Sequence, residues 1–162
     1  QGESAASAVA KGMVDDNLEN IVEANTLLSG IGFESGGLAL AHAIAQSLTA
    51  VPVAHDNYLH GEHVAIGTMV QLMMEQHVDT ERVAKFFARV GLPVHLGQIS
   101  LSREDQTAMR TIVDATISWP TSHNMPIPVN DQSIRSALVS ADELGLSVAA
   151  SVGDEAYRRL QK

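Results

Sequence analysis

Histidine is the residue type in this chain whose number and spacing could support metal chemistry. Four of the seven histidines lie between positions 42 and 63. The seven are His42, His55, His60, His63, His77, His95 and His123. A single histidine is more often an ordinary polar residue than a ligand, so the clustering is what indicates a site.

Two of these histidines occupy positions that suit a metal. His42 lies among alanines and leucines in the apolar-periodic segment 38–48, where small neighbours leave room for an ion or a substrate. His60 precedes Gly61 and Glu62 at the expected start of the next helix, and the positive end of a helix favours the neutral imidazole that a metal binds. We expect the intervening loop to bring the two helices together, with His42 near His60.

Two imidazoles do not complete a zinc site, because zinc in proteins takes at least three protein ligands and, in a catalytic site, one open position. By spacing alone, Asp56, His55 or His63 could be the third ligand. His60 and His63, three residues apart on one helix, form a rival pair.

Other kinds of site are excluded or weak. The chain has no cysteine, which excludes thiolate metal sites and a cysteine nucleophile. Gly30 and Gly32 resemble the opening of a dinucleotide fingerprint, but Ser35 stands at its sixth position and the preceding segment reads as helix rather than strand. We therefore assign these glycines to backbone geometry: a helix end at Gly30 to Gly32 and a close helix approach at Gly36 and Gly37.

Composition narrows the class of protein. The 162 residues carry a net charge of −9, 45% of them are hydrophobic, and no basic stretch stands out. Nucleic acid and anionic membrane surfaces are therefore poor partners. We expect neither a membrane span nor a secretory signal, and hence a cytoplasmic protein.

The hydrophobic pattern predicts one all-α domain over residues 1–162, a succession of helices without sustained two-residue alternation. Predicted helix starts include Asp15 or Asp16, Asp79 or Thr80, Ser102 with Asp105, and Asn130, the last opening a helix to about Leu144. Residues 49–60 are predicted to be a loop, and residues 30–37 a glycine-rich break.

Several longer motifs resemble a known family. They are residues 21–39 (IVEANTLLSGIGFESGGLA), 41–44 (AHAI), 60–68 (HGEHVAIGT), 90–94 (VGLPV) and 123–126 (HNMP). Together they resemble the glycerol dehydrogenase family, the polyol branch of the iron-containing, group III alcohol dehydrogenase superfamily. The resemblance runs in register from about Asp16 to Leu144.

The resemblance implies a fold and an activity. The fold is the helical, bundle-like C-terminal domain of a dehydroquinate synthase-like enzyme, whose N-terminal domain binds NAD and whose active site lies between the domains. The activity is oxidation of glycerol or a related small polyol to the ketone, which for glycerol is dihydroxyacetone, with zinc as Lewis acid and the nicotinamide as hydride acceptor. A homo-oligomer is implied by analogy.

The resemblance also implies roles for residues of this chain. His42, in the AHAI motif, and His60, in the HGE motif, match the two histidine ligands of zinc. Phe33 matches the phenylalanine that faces the substrate. His63 stands where the family has a basic residue, so the resemblance removes it as a ligand.

Two family features have no match in this chain. The third zinc ligand, an aspartate, and the phosphate-binding glycine loop both belong upstream of the matched region. With Gln1 in place of methionine, this predicts a fragment that holds zinc weakly and does not turn over. The alternatives are a stand-alone helical binding or assembly domain, a dehydroquinate-synthase-like lyase, and an iron-dependent alcohol dehydrogenase, which would need a third histidine at the metal.

Overall fold

A computed structural model describes residues 1–161, and these residues form helices, turns and loops without a β-strand. The predicted all-α class is confirmed. The chain divides into two compact units, Gln1–Gly37 and the remainder from Leu38 onward. The single domain expected over residues 1–162 stays a prediction.

The first unit consists of a short helix and a long helical segment. Helix α1 spans Gly2–Ala10, α2 spans Asp16–Glu23, a π-helical turn follows at Ala24–Leu28, and α3 spans Ser29–Gly36. The predicted cap is present, since the Asp15 carboxylate accepts a hydrogen bond of 2.9 Å from the Leu18 N–H.

The predicted helix end at Gly30 to Gly32 is wrong. Helix α3 continues through both glycines to Gly36 and ends at Gly37, whose φ of 72° is left-handed. A helical glycine costs only about 1 kcal/mol, which the continuous helix tolerates. The predicted close approach at Gly36 and Gly37 is also wrong, because a Cβ added at either one would meet no heavy atom within 4 Å.

The second unit contains the remaining helices. They are α4 Leu40–Leu48, α5 Pro52–Asn57, α6 His60–Met74, α7 Thr80–Val90, α8 Gln106–Ser118, α9 Asp131–Val152 and α10 Glu155–Leu160, with 3-10 turns at Leu96–Ile99 and Pro120–His123.

Two predictions about this unit are wrong. The segment 49–60 is not a plain loop, because helix α5 begins at Pro52, whose missing N–H costs nothing at the first helical position. Helix α9 does not stop near Leu144 but runs to Val152. Its buried residues, such as Ala141 and Val148, continue the apolar face and keep the helix against the core.

The core of the second unit holds together the two helices that carry the candidate site. Leu40, Ile44 and Leu48 of α4 are fully buried, as are Met69 and Val70 of α6. Helices α8 and α9 close the core with Met109, Ile112, Ile134 and Leu138, each at most 2% exposed. Burial of this kind is the main stabilising contribution to the unit.

Helices α4 and α6 meet at a glycine. A Cβ built on Gly67 of α6 would lie 2.0 Å from the carbonyl oxygen of Ala41 in α4. Only the absence of a side chain at Gly67 allows the two backbones to approach so closely. The relative position of the two helices, and of anything they carry, therefore depends on this residue.

Within residues 1–161, no single helix has both the length and the apolar composition of a membrane span. One pair of helical segments, Asp16–Gly36 and Leu40–Leu48, meets these two criteria only when taken together, and the pair is bent at the break.

Candidate metal centre

The structure brings together His42 and His60, the two histidines expected to lie near each other. His42 is the third residue of α4 and His60 is the first residue of α6. Their ring centres are 5.8 Å apart and the ring planes are tilted by 48°. At this separation one nitrogen of each ring can bind the same ion, so the geometry suits two ligands of one metal.

The surroundings of His42 favour the form of imidazole that binds metals. Its side chain is half-buried, and this loss of solvation lowers the pKa of His42 below its ordinary value; the neighbouring His60 lowers it further. His42 also lies in the first turn of α4, where the helix dipole disfavours a positive charge. A neutral ring keeps a lone pair free for an ion.

No third ligand joins the pair among the described residues. In residues 1–161, no group of three or more histidine, aspartate, glutamate or cysteine side chains is placed to hold a metal ion. His55 and Asp56, two of the candidates by spacing, instead pair with each other at 2.9 Å on the surface. The expected upstream aspartate stays a prediction, and the three-histidine iron site has no support from this part of the chain.

His63, the third candidate by spacing, serves the interior of the second unit. It is only 2% exposed, and its Nε2–H donates to the Ala54 carbonyl at 3.1 Å, which ties α6 to α5. Its Nδ1 has no hydrogen-bond partner. Burial is the largest cause that lowers the pKa of His63, so the neutral ring is the folded form.

This buried ring predicts a loss of stability on acidification. The unfolded chain binds a proton at His63 near the ordinary pKa of 6.5, whereas the folded chain does so only at lower pH. The contribution of His63 is therefore fully present above about pH 6.5 and is lost as the pH falls toward the folded pKa. We expect the urea midpoint to fall between pH 7.5 and 5.5, and His63→Gln to flatten that fall. The same substitution at exposed His77 is the control; an equal pH dependence in wild type and His63→Gln would contradict the prediction.

Phe33, the residue expected to face the substrate, lies in the first unit. It belongs to α3 and its side chain is 57% exposed. The structure thus leaves the ring free of core packing, and its role toward a substrate stays a prediction.

Sequence reasoning missed the residues that join α4 to α6. In the sequence, Gly67 stands out only as part of the motif 60–68, and Gln71 belongs to none of the motifs. A lone glycine inside a helical pattern is a signal for close packing. The long-range contact of Gln71 has no signal in a single sequence.

Comparison with known proteins shows what this helical arrangement is related to. The chain is 45% identical over 148 residues to a glycerol dehydrogenase of Pseudomonas putida, a match covering 90% of this chain and 40% of that enzyme. The solved structure of glycerol dehydrogenase from Schizosaccharomyces pombe matches with a TM-score of 0.79 at 35% identity, covering 93% of this chain and 39% of that one. The chain is homologous to the C-terminal part of glycerol dehydrogenase. The predicted resemblance and fold class are confirmed.

The homology has defined limits. The chain spans about 40% of the length of the curated glycerol dehydrogenases it matches. A glycolaldehyde reductase of Halobacterium salinarum is also 41% identical over 150 residues, covering 91% of this chain and 41% of that protein. No family model matches the chain.

Proposed function

We propose that this chain is the metal-binding helical part of an NAD-dependent glycerol dehydrogenase, which oxidises glycerol to dihydroxyacetone. The observation that carries the proposal is the His42–His60 pair, with ring centres 5.8 Å apart, in a chain homologous to glycerol dehydrogenases. The hydrophobic pattern alone indicates only a helical protein, whereas the paired imidazoles indicate metal binding.

In this proposal His42 and His60 hold zinc through neutral imidazoles. Zinc, when bound, supplies Lewis-acid polarisation of the substrate hydroxyl. The chain contributes a half-buried His42 and an exposed His60, so the pair lies at the edge of the core and is open to a ligand from outside it. Because zinc needs at least three protein ligands, the two histidines hold it weakly by themselves and the isolated chain is expected to be inactive.

The remaining parts of the proposal concern the coenzyme, the third metal ligand and the contact with the substrate. An N-terminal dinucleotide-binding domain would hold NAD and supply the missing aspartate ligand. The exposed ring of Phe33 would lie against the carbon face of the polyol, since an aromatic ring offers apolar contact without competing for the metal. We also propose that the full-length protein is a homo-oligomer in the cytoplasm.

Metal removal from the full-length protein tests this function. Treatment with a chelator is expected to bring NAD-dependent glycerol oxidation to the level seen without enzyme, and added Zn²⁺ to restore it, while Fe²⁺ does not. Full activity after complete metal removal, or restoration by Fe²⁺ alone, would contradict the proposal.

The substrate and the alternative of a binding domain are tested in the same preparation. Glycerol, glycolaldehyde and dihydroxyacetone are compared as substrates, because one homologue is named for glycolaldehyde. A faster reaction with glycolaldehyde than with either three-carbon compound would show that glycolaldehyde, rather than glycerol, is the preferred substrate. A natural gene product with an intact mass near 17.2 kDa would favour a stand-alone binding or assembly domain instead.

A further inference from the structure

Helix α4 begins without a cap of its own. Its N-cap residue is Ala39, which has no side-chain acceptor, so the first N–H groups of the helix need partners from elsewhere. One partner comes from α6, where the side-chain oxygen Oε1 of Gln71 accepts a hydrogen bond of 2.9 Å from the Ala41 N–H. A residue thirty positions later thus caps the helix that carries His42.

The orientation of the Gln71 amide is fixed by a second hydrogen bond. Its Nε2 donates to the carboxylate of Glu75, the C-cap residue of α6, at 2.9 Å. With the nitrogen held by an acceptor, the oxygen of the same amide faces Ala41. Glu75 therefore aligns the group that caps α4.

Gly67 lies one turn before Gln71 and contacts the same residue of α4. A Cβ built on Gly67 would lie only 2.0 Å from the Ala41 carbonyl oxygen, so the oxygen occupies space that a side chain at Gly67 would need. The N–H of Ala41 is bound by Gln71 and its carbonyl lies on Gly67, so both ends of this residue are placed against α6. The next residue in the chain is His42, and α6 begins with His60.

We propose that Gln71 is a positioning residue for the metal pair: by capping α4 at Ala41, it sets the placement of His42 relative to His60. The inference rests on the proposed function, because it assigns Gln71 a role toward the metal that these histidines would bind. A residue that only filled space between the helices would not need an aligned acceptor, and this difference can be tested.

The test uses the full-length protein and two readouts. One is the zinc dissociation constant measured by competition with a chromophoric chelator, and the other is the visible absorption spectrum of the Co²⁺-substituted protein. Gln71→Met keeps the length of the side chain but removes the acceptor. We expect it to weaken zinc binding about 10-fold, the lower end of the range found for direct hydrogen-bond partners of metal ligands, because Gln71 acts through the backbone of Ala41, and to change the cobalt spectrum.

A swapped pair separates hydrogen bonding from packing. In Gln71→Glu with Glu75→Gln, the new carboxylate can accept from the Ala41 N–H while the new amide donates to it. We expect this double variant to return zinc affinity to within about threefold of wild type, since both hydrogen bonds are restored. Gln46→Met, on the exposed face of α4, is the matched control and should leave both readouts unchanged.

The outcomes are distinct. Wild-type affinity and spectrum in Gln71→Met, or a swapped pair as weak as Gln71→Met, overturns the positioning role. Should Gln71→Met fail to fold, Gln71→Asn, which shortens the amide by one methylene, takes its place in the same comparison. Failure of the proposed function is recognised separately, as unchanged zinc affinity in His42→Ala.

Discussion

His42→Ala in the full-length protein is expected to abolish stoichiometric zinc binding and glycerol oxidation together. The substitution removes one of two imidazoles whose ring centres lie 5.8 Å apart, and no other histidine, aspartate, glutamate or cysteine among residues 1–161 completes a group of three around an ion. We expect zinc affinity to fall by more than about 100-fold, because even outer-shell partners contribute 10- to 100-fold. Metal analysis after dialysis and a steady-state assay with NAD measure the two effects.

The matched control for this experiment is His77→Ala. His77 is exposed, and its ring accepts a hydrogen bond from the Asp79 N–H, outside the pair. It should retain zinc and activity. Retained zinc and near-normal activity in His42→Ala would remove the assignment of this residue as a ligand.

Gly67→Ala is expected to destabilise the fold strongly. The added methyl would lie 2.0 Å from the Ala41 carbonyl oxygen and 2.9 Å from its carbonyl carbon, so one of the two backbones has to move. Overpacking of a close contact costs about 1–3 kcal/mol, and here the neighbour is backbone rather than a flexible side chain. We expect a loss of about 3 kcal/mol in the free energy of unfolding, measured by urea denaturation.

Gly61→Ala, six residues earlier on the same helix, is the control. A Cβ at Gly61 meets no heavy atom within 4 Å, so the change should leave the free energy of unfolding within about 0.5 kcal/mol of wild type. Equal free energies of unfolding for the two variants would show that the contact at Gly67 does not limit the approach of α4 and α6.

Local signals in the sequence predicted much of the helical framework. Helix starts at Asp15 and Asp105 were identified because a capping side chain binds N–H groups two or three residues away. Helix α7 ends in a local signal of the same kind, since Gly91 has the left-handed conformation that favours glycine. These features depend on residues adjacent in sequence, which is why one sequence sufficed.

Contacts between distant residues were not predictable in this way. Gly145 touches the Val94 carbonyl and Gly67 touches Ala41, yet the sequence pointed to Gly36 and Gly37 as the close approach. The lengths of α3 and α9 were also misjudged, because packing and helix continuity outweighed the glycines and the expected stop near Leu144.

In the candidate site, too, local features were predictable from the sequence and long-range contacts were not. His42 and His60 were identified from motif and helix position, and the structure places their rings next to each other. What holds them there was not foreseen, because the hydrogen bond between Gln71 and Ala41 joins residues thirty positions apart. A third ligand could not be placed from this chain at all, since the described residues do not contain a complete set.

X-ray absorption spectroscopy at the zinc edge, on the full-length protein loaded with one equivalent of zinc, tests whether His42 and His60 bind the metal. We predict one tightly bound zinc per chain with two imidazole ligands, reduced to one imidazole or to no bound zinc in His60→Ala. Zinc bound without imidazole, or the same two-imidazole spectrum in wild type and His60→Ala, would contradict the assignment of His42 and His60 as the metal pair.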